Sequence, residues 1–248
     1  MPVDISKPLK KFTPILIAAR DDGLNEADTV QRICRFFEYV LGYDPLRDIG
    51  LEAEMKGKYV DVSIKIDDRV RLLVEAKAAE ARLRDKHIEQ AQAYASHNNY
   101  QWVLLTNGVD WNLYHLTFEK GIEYERAFAL SLADEGQFDD AATKLGLLHK
   151  KSLGKGLLDE YWEKTTALRA SSIGRALFQE KTLRVIRTEI RHDTGILIDT
   201  EDLAKALQHM LPSEACVHIG PPKVRRRHKT TRPKPAEPNP TESKPEIP

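Results

Sequence analysis

A glutamate and a lysine occupy a stretch of this sequence that is otherwise suited to the middle of a sheet. Residues 69–77 (RVRLLVEAK) are apolar almost throughout, which predicts a central β-strand. Side chains alternate along a strand, so Glu75 and Lys77 should point to the same face. Charges at the centre of a sheet cost stability unless they are paired. These two residues are therefore candidates for chemistry rather than for packing.

A second carboxylate comes from the preceding segment. Residues 58–66 (KYVDVSIKI) alternate, with Val60, Val62, Ile64 and Ile66 predicted on one face and Asp61 on the other. Asp67-Asp68 is a turn signal, so the two segments should form a hairpin. Pairing around that turn places Asp61 almost opposite Glu75 on the same face.

Two neighbouring carboxylates repel each other, and a hard cation relieves the repulsion. Asp and Glu oxygens with a backbone carbonyl suit Mg²⁺, which keeps several of its waters, and Mn²⁺ is the alternative ion. Such a cation polarises a phosphoryl oxygen and lowers the pKa of a bound water. Lys77 could hold or deprotonate that water, or stabilise charge on the phosphate. Taken alone, Asp61 and Glu-x-Lys fit a surface lattice of salt bridges better.

Two predicted helices could add side chains to this cluster. Asn25 and Asp28 form an N-cap pattern for an amphipathic helix over residues about 26–41, with Glu26 in its first turn. A helix dipole favours a carboxylate there in any case. Residues from about 84 to 98 are also helical in pattern, and Gln90 and Tyr94 lie one turn apart on a shared face. That face could pack over the sheet edge that carries the carboxylates.

The remaining pattern predicts an α/β core followed by helices and a tail. Three more strands are expected, over residues 102–105, 111–116 and about 123–130, and they complete a compact domain at 1–132. A helical region at 133–220 follows, with no chemistry that its residues suggest. From Pro221 the chain holds eight of its 13 prolines and no apolar period, so 221–248 is predicted to be a disordered tail. The four helices expected after residue 132 cover Phe138–His149, Leu157–Leu168, Ile173–Arg191 and Thr200–Leu211.

Charge divides the chain unevenly although its formal net charge is zero. Residues 221–248 hold eight Lys/Arg and three Asp/Glu, and residues 1–220 hold 30 and 35. The body is therefore not a basic nucleic-acid binder as a whole. Arg225-Arg226-Arg227 in the tail could contact phosphates or could serve only solubility.

Two isolated cysteines and the absence of a long apolar run favour a cytoplasmic protein with no membrane segment.

Six sequence segments together resemble one family of enzymes. They are NEADT at 25–29, LGYD at 41–44, KYVDVSI at 58–64, LLVEAKA at 72–78, IEQAQAYA at 88–95 and WVLLTNGVDWNLY at 102–114. In this order and spacing they resemble the PD-(D/E)XK nuclease superfamily. More narrowly they are similar to the N-terminal nuclease domain of the restriction (R) subunit of type I restriction enzymes. The resemblance covers roughly residues 24 to 116.

The resemblance implies a restriction-endonuclease-like core, a central mixed sheet flanked by helices, and a role for each matching residue. Asp61 and Glu75 would bind the metal with the Ala76 carbonyl, and Lys77 would be the catalytic lysine. The helix carboxylate that supports the metal shell would be Glu26. Gln90 and Tyr94 would form the Gln-x-x-x-Tyr element that shapes the site and contacts DNA.

The sequence departs from whole restriction subunits in one respect. It contains no Gly-x-x-x-x-Gly-Lys-Ser/Thr, so it carries no ATP-driven motor of that type. The expected function is Mg²⁺-dependent DNA endonuclease activity in restriction or defence against foreign DNA, with a homodimer or partner subunits as alternatives. A non-catalytic DNA-binding or adaptor module of the same fold, or a nuclease acting on RNA or branched DNA, stays open.

Overall fold

The computed structural model describes residues 1–55, 58–119 and 121–212. Side chains at 52–55, 58, 59, 90 and 97 lie outside that description, so the backbone position of Gln90 is known but not its contacts. The predicted disorder of the tail 221–248, and with it the predicted role of Arg225, Arg226 and Arg227, also falls outside the described residues.

One mixed sheet of six strands organises the first 166 residues. The strands are β1 (Ile49–Met55), β2 (Lys58–Ile66), β3 (Arg69–Ala76), β4 (Trp102–Thr106), β5 (Asp110–Thr117) and β6 (Glu123–Ser131). They lie side by side in chain order, and β3 and β4 are parallel while every other neighbouring pair is antiparallel. A parallel pair needs a long connection, and the segment between β3 and β4 contains a helix. The predicted α/β core with a mixed sheet is confirmed.

Helices flank this sheet and continue after it. They are α1 (Ser6–Asp21), α2 (Glu26–Tyr39), α3 (Glu89–Asn98), α4 (Phe138–Leu147), α5 (Lys150–Gly154), α6 (Leu157–Ala167), α7 (Ala170–Leu177), α8 (Glu180–Thr194) and α9 (Thr200–Met210). Short 3₁₀ helices occupy Asp85–Ile88 and Glu135–Gln137. The sequence analysis did not predict α1 or β1. In α1 an internal proline, Pro14, interrupts the helical composition, but Leu9, Phe12 and Leu16 still form a buried stripe.

The hairpin of β2 and β3 forms as predicted. Asp67 and Asp68 have φ angles of 50° and 61°, and positive φ at both central residues is typical of the tight turns that suit a twisted hairpin. The register pairs Val62 with Val74 and Ile64 with Leu72. A shift between Ile64 and Lys65 separates this register from that of the turn. The central position of β3 is confirmed too, because it lies between β2 and β4.

Each face of the sheet carries its own core. The first core holds Leu72, Val74 and Ala76 of β3 with residues of α1 and α2, and the second core holds Leu73 of the same strand with residues of α3. The prediction that Val60 shares a face with Val62 is wrong. Val62 lies in the first core and Val60 in the second, because the regular β2–β3 ladder begins only at Val62, after Asp61.

The first compact unit extends from Met1 to Thr166, past the predicted domain end at residue 132. Leu145 of α4, Leu153 of α5 and Leu158 of α6 are buried in the first core. Lys150 also forms an ion pair with the buried carboxylate of Asp48 at 2.5 Å. Packing thus ties these helices to the sheet, whereas the boundaries of the functional domains stay a prediction.

The second compact unit begins at Ala167 and is helical over its described residues. Arg187 of α8 donates hydrogen bonds to the Ile198 carbonyl and to the Thr200 hydroxyl, at 2.9 Å and 2.7 Å, and so joins α8 to the start of α9. None of the described helices, in either unit, combines the length and the apolar character needed to cross a bilayer.

Candidate active site

The Lys77 ammonium lies between two glutamates. Its Nζ atom is 2.8 Å from Oε1 of Glu75 and 3.3 Å from Oε1 of Glu26. The Glu75 side chain is only 4% exposed, that of Lys77 20%, and that of Glu26 50%. The cluster therefore runs from the sheet interior to the surface, and a substrate could approach it from the Glu26 side.

Asp61 joins the cluster through the backbone of β3. Its Oδ2 accepts a hydrogen bond of 2.7 Å from the Ala76 amide N–H. The antiparallel ladder of β2 and β3 runs from the Val62–Val74 pair toward the turn, with a register shift between Ile64 and Lys65, and Asp61 lies one residue beyond that pair. The Asp61 carboxylate thus accepts a hydrogen bond from the Ala76 amide where the pairing of β2 with β3 ends. This arrangement confirms the predicted proximity of Asp61 to the Glu75–Lys77 pair.

Burial dominates the ionisation of Glu75. Removal from water raises its pKa to about 7, against the opposing hydrogen bond from Lys77, and the negative charge of Asp61 adds to the increase. A buried carboxylate that holds a proton near neutral pH is stabilised as an anion when a cation binds. Binding of a metal ion would therefore complete the ionisation of Glu75.

The pKa of Lys77 is raised, which means that its ammonium form is stabilised. Burial opposes its charge, but the hydrogen bond to Glu75 and the negative charges of Glu75, Glu26 and Asp61 together raise its pKa. At neutral pH the side chain is consequently a cation and a hydrogen-bond donor. This state suits stabilisation of charge on a phosphate better than removal of a proton from water.

The start of α2 places Glu26 beside Lys77. Asn25 is the N-cap of this helix, and its side chain accepts a hydrogen bond of 2.9 Å from the Asp28 amide, as predicted. The carbonyl of Leu24 accepts from the Ala79 amide at 3.0 Å. That contact joins the entry to the helix to the chain directly after Lys77, so two distant parts of the sequence meet at the site.

The turn after β4 also positions the site, and sequence reasoning gave it no role. The Thr106 carbonyl accepts a hydrogen bond of 2.9 Å from the Lys77 amide. The buried Asn107 side chain donates to the Ala81 carbonyl at 3.0 Å and accepts from the amides of Val109 and Asp110. An Asn-Gly pair indicates a turn of the backbone, and nothing in the sequence shows where the Asn107 side chain reaches.

The donor set at the end of β3 fits a hard cation with water in its coordination shell. Asp61 and Glu75 are carboxylates at neighbouring positions, and the Ala76 carbonyl lies between Glu75 and Lys77 in the chain. Among the residues that the structure describes, no three His, Cys, Asp or Glu side chains converge as a complete cage. Mg²⁺ is typically bound by one or two carboxylates plus water and substrate oxygens, so two carboxylates suffice.

The other predicted site residues have different outcomes. Tyr94 is buried in the second core and stacks on Tyr100 with 6.3 Å between ring centroids, and its pKa is raised by burial. Its predicted contact with DNA, and that of Gln90, stay predictions. Trp102 and Trp111 are buried in the first core.

The comparison with protein families matches this part of the chain. Residues 26–126 match the family described as type I restriction enzyme R protein N terminus, a PD-(D/E)XK-like nuclease domain. The match spans under half of the 248 residues and contains Glu26, Asp61, Glu75 and Lys77. The predicted resemblance is thereby confirmed for this segment. No curated protein and no solved structure matches the chain.

Proposed function

We propose that this protein is a metal-dependent DNA endonuclease whose active centre consists of Asp61, Glu75 and Lys77. The observation that carries the proposal is the Lys77 ammonium, 2.8 Å from a buried carboxylate at the end of a central strand, with Asp61 beside it. A structural ion pair alone does not require a second carboxylate next to a buried one, because the two repel. A site that binds a cation gives the second carboxylate a role, because the cation offsets the repulsion.

Each side chain then has a distinct task. Asp61 and Glu75, with the Ala76 carbonyl, would hold Mg²⁺ or Mn²⁺, which supplies Lewis-acid activation of the phosphate and of water. The Lys77 ammonium would donate a hydrogen bond to a phosphate oxygen and balance the charge that develops there. Glu26 would orient Lys77 and support the metal shell from the exposed side. Gln90 and Tyr94 would shape the wall of the site on α3.

The family match points to the biological setting. An R-subunit N-terminal-like nuclease domain fits cleavage of foreign DNA in restriction or a related defence system. Partner subunits, or a second copy of the chain, would supply the target specificity for which the described residues show no dedicated element. The basic tail with Arg225, Arg226 and Arg227 would add phosphate contacts.

Two alternatives are separated by experiment. A non-catalytic DNA-binding or adaptor module of this fold would bind DNA without cutting it. A nuclease for RNA or branched DNA would use the same metal site, because such a site is indifferent to the sugar. The presence of the acidic pair and of Lys77 favours catalysis over the first alternative, and only a substrate panel decides the second.

The test is cleavage by the purified full chain of circular, linear, single-stranded and branched DNA and of RNA, each with Mg²⁺, Mn²⁺ or EDTA. Glu75→Gln and Lys77→Ala are run beside the wild type. We expect metal-dependent cutting of DNA that both substitutions abolish. Folded protein that cuts none of these substrates would favour the adaptor, and preferential cutting of RNA or of branched DNA would replace the proposed substrate.

A further inference from the structure

The chain that follows the catalytic strand is irregular but firmly anchored. Three contacts hold it: the Ala79 amide to the Leu24 carbonyl, the Ala81 carbonyl to Asn107, and Asp85 to the Tyr114 hydroxyl at 2.7 Å. Tyr114 is itself buried in the second core. We call residues 78–87 the connecting segment. Its backbone is fixed relative to the site because its anchors lie in the loop before α2, on β5 and in the turn before β5.

Three exposed cations project from this segment. Leu83 packs against the second core, and its neighbours Arg82 and Arg84 are both exposed, as alternation along an extended backbone predicts. Lys86 is exposed as well. Within the part of the chain that the structure describes, none of the three is paired with a carboxylate, whereas Asp85 is used by Tyr114.

Two of these cations lie near a histidine that is also close to the site. The His87 ring lies on the same segment, and its Nδ1 accepts a hydrogen bond of 3.3 Å from the Arg84 amide. The pKa of His87 is lowered by its partial burial and by the positive charges of Lys77, Lys86 and Arg84. The His87 imidazole is therefore close enough to Lys77, Arg84 and Lys86 to be influenced by all three charges. The negative charge of Glu26 opposes this effect on His87. The three cations follow the catalytic strand directly, in a body whose net charge is negative, and so form a local basic patch beside the site.

We propose that Arg82, Arg84 and Lys86 form a phosphate-binding row that guides a nucleic-acid backbone to the Glu75–Lys77 site. The inference rests on the proposed function for its substrate class and adds the route by which the backbone arrives. A rigid segment loses little entropy when its side chains bind, and unpaired exposed cations can exchange their counterions for phosphates. The ligand chemistry is the phosphodiester backbone, which DNA and RNA share.

The test measures binding rather than cleavage, with the full chain carrying Glu75→Gln so that the substrate survives. Arg82→Gln, Arg84→Gln and Lys86→Gln are introduced together. Affinity for duplex DNA, single-stranded DNA and RNA of equal length is measured by fluorescence anisotropy over a range of salt. We expect at least ~10-fold weaker binding of duplex DNA near 100 mM salt and a log–log salt slope shallower by about 2 to 3.

A matched control removes three exposed cations from α1. Lys7, Lys10 and Lys11 are exposed in the first half of α1, whose last residues lead to Leu24 at the site. At a rise of about 1.5 Å per residue, these lysines lie about 15 to 21 Å along the helix from Asp21, the end that leads to the site. Their glutamine triple variant carries the same net charge and should keep the wild-type salt slope.

Equal losses in the two triple variants would overturn the proposal, since net charge alone would then explain the effect. Unchanged binding in the Arg82/Arg84/Lys86 variant, or no nucleic-acid binding by the parent protein, would overturn it as well. A preference for RNA or single strands, lost in the same variant, would support the row and identify its source of phosphates. Cleavage by the wild type is scored separately, so failure of the row leaves the nuclease proposal standing.

Discussion

Removing the buried charge of Glu75 should change how stability depends on pH. Burial raises the pKa of Glu75 to about 7, compared with an ordinary 4.5, so the folded protein binds this proton more tightly than the unfolded chain does. The free energy of unfolding is then greatest below pH 4.5 on account of this group, and falls as pH rises toward 7. One pKa unit corresponds to ~1.4 kcal/mol, which gives a loss of at most ~3 kcal/mol between pH 4.5 and 8.

Glu75→Gln keeps the size of the side chain and abolishes its titration. We expect the wild type to be less stable relative to Glu75→Gln at pH 8 than at pH 4.5, by ~2 to 3 kcal/mol. Urea unfolding in EDTA, followed by circular dichroism at pH 4.5, 6, 7 and 8, measures this difference. Titrating groups that do not interact with Glu75 occur in both proteins and cancel in the comparison.

Glu163→Gln is the matched control, because Glu163 is an exposed glutamate of α6. Its stability curve should run parallel to that of the wild type. Parallel curves for Glu75→Gln would refute the reasoning. So would a wild type that gains relative stability with rising pH, since the carboxylate would then be stabilised by Lys77 more than it is destabilised by burial.

Three further predictions concern neighbouring parts of the molecule. Lys77→Ala should abolish cleavage without altering the circular dichroism spectrum, because the side chain serves chemistry rather than packing; loss of the fold would show that its environment was misread. Deletion of 221–248 should weaken DNA binding far more at low salt than at high salt in an anisotropy titration, and equal affinity of the deleted protein and the full chain at both salts would exclude a phosphate-binding tail. Asn107→Ala should lower the free energy of unfolding by about 2 to 4 kcal/mol in urea, because it leaves buried backbone groups without partners, and a change under 1 kcal/mol would contradict its role as an anchor of residues 78–87.

The chemical centre could be predicted from the sequence because its members are close along one hairpin. Alternation placed Glu75 and Lys77 on one face, and the Asp67-Asp68 turn predicted the hairpin that brings Asp61 near, although a register shift between Ile64 and Lys65 sets the final pairing. Glu26 is 51 residues from Lys77 in sequence, and only the resemblance to a known family linked it to the site. The periodicity of side chains gives information only about residues that are close in sequence. A contact between residues 51 positions apart depends on tertiary packing.

The features that the sequence did not predict also depend on tertiary packing. The Asn107 side chain donates to the Ala81 carbonyl, 26 residues earlier in the chain, whereas a turn pattern describes only the backbone near Asn107. The α1 helix contains Pro14, and tertiary burial of its apolar stripe outweighs the local cost of that proline. The face change at Asp61 arises where the strand ladder stops, and a period-2 pattern assumes an uninterrupted ladder.

The most direct measurement is nicking of one supercoiled circular DNA by excess enzyme in Mg²⁺, with the wild type beside Asp61→Asn. Asparagine retains an oxygen that can accept from the Ala76 amide, so the substitution removes the charge while preserving the contact that positions β3. We predict Mg²⁺-dependent nicking by the wild type, none in EDTA, and none by a folded Asp61→Asn protein. Equal nicking by both proteins, or no nicking by the wild type in either Mg²⁺ or Mn²⁺, would contradict a metal-dependent nuclease centred on these residues.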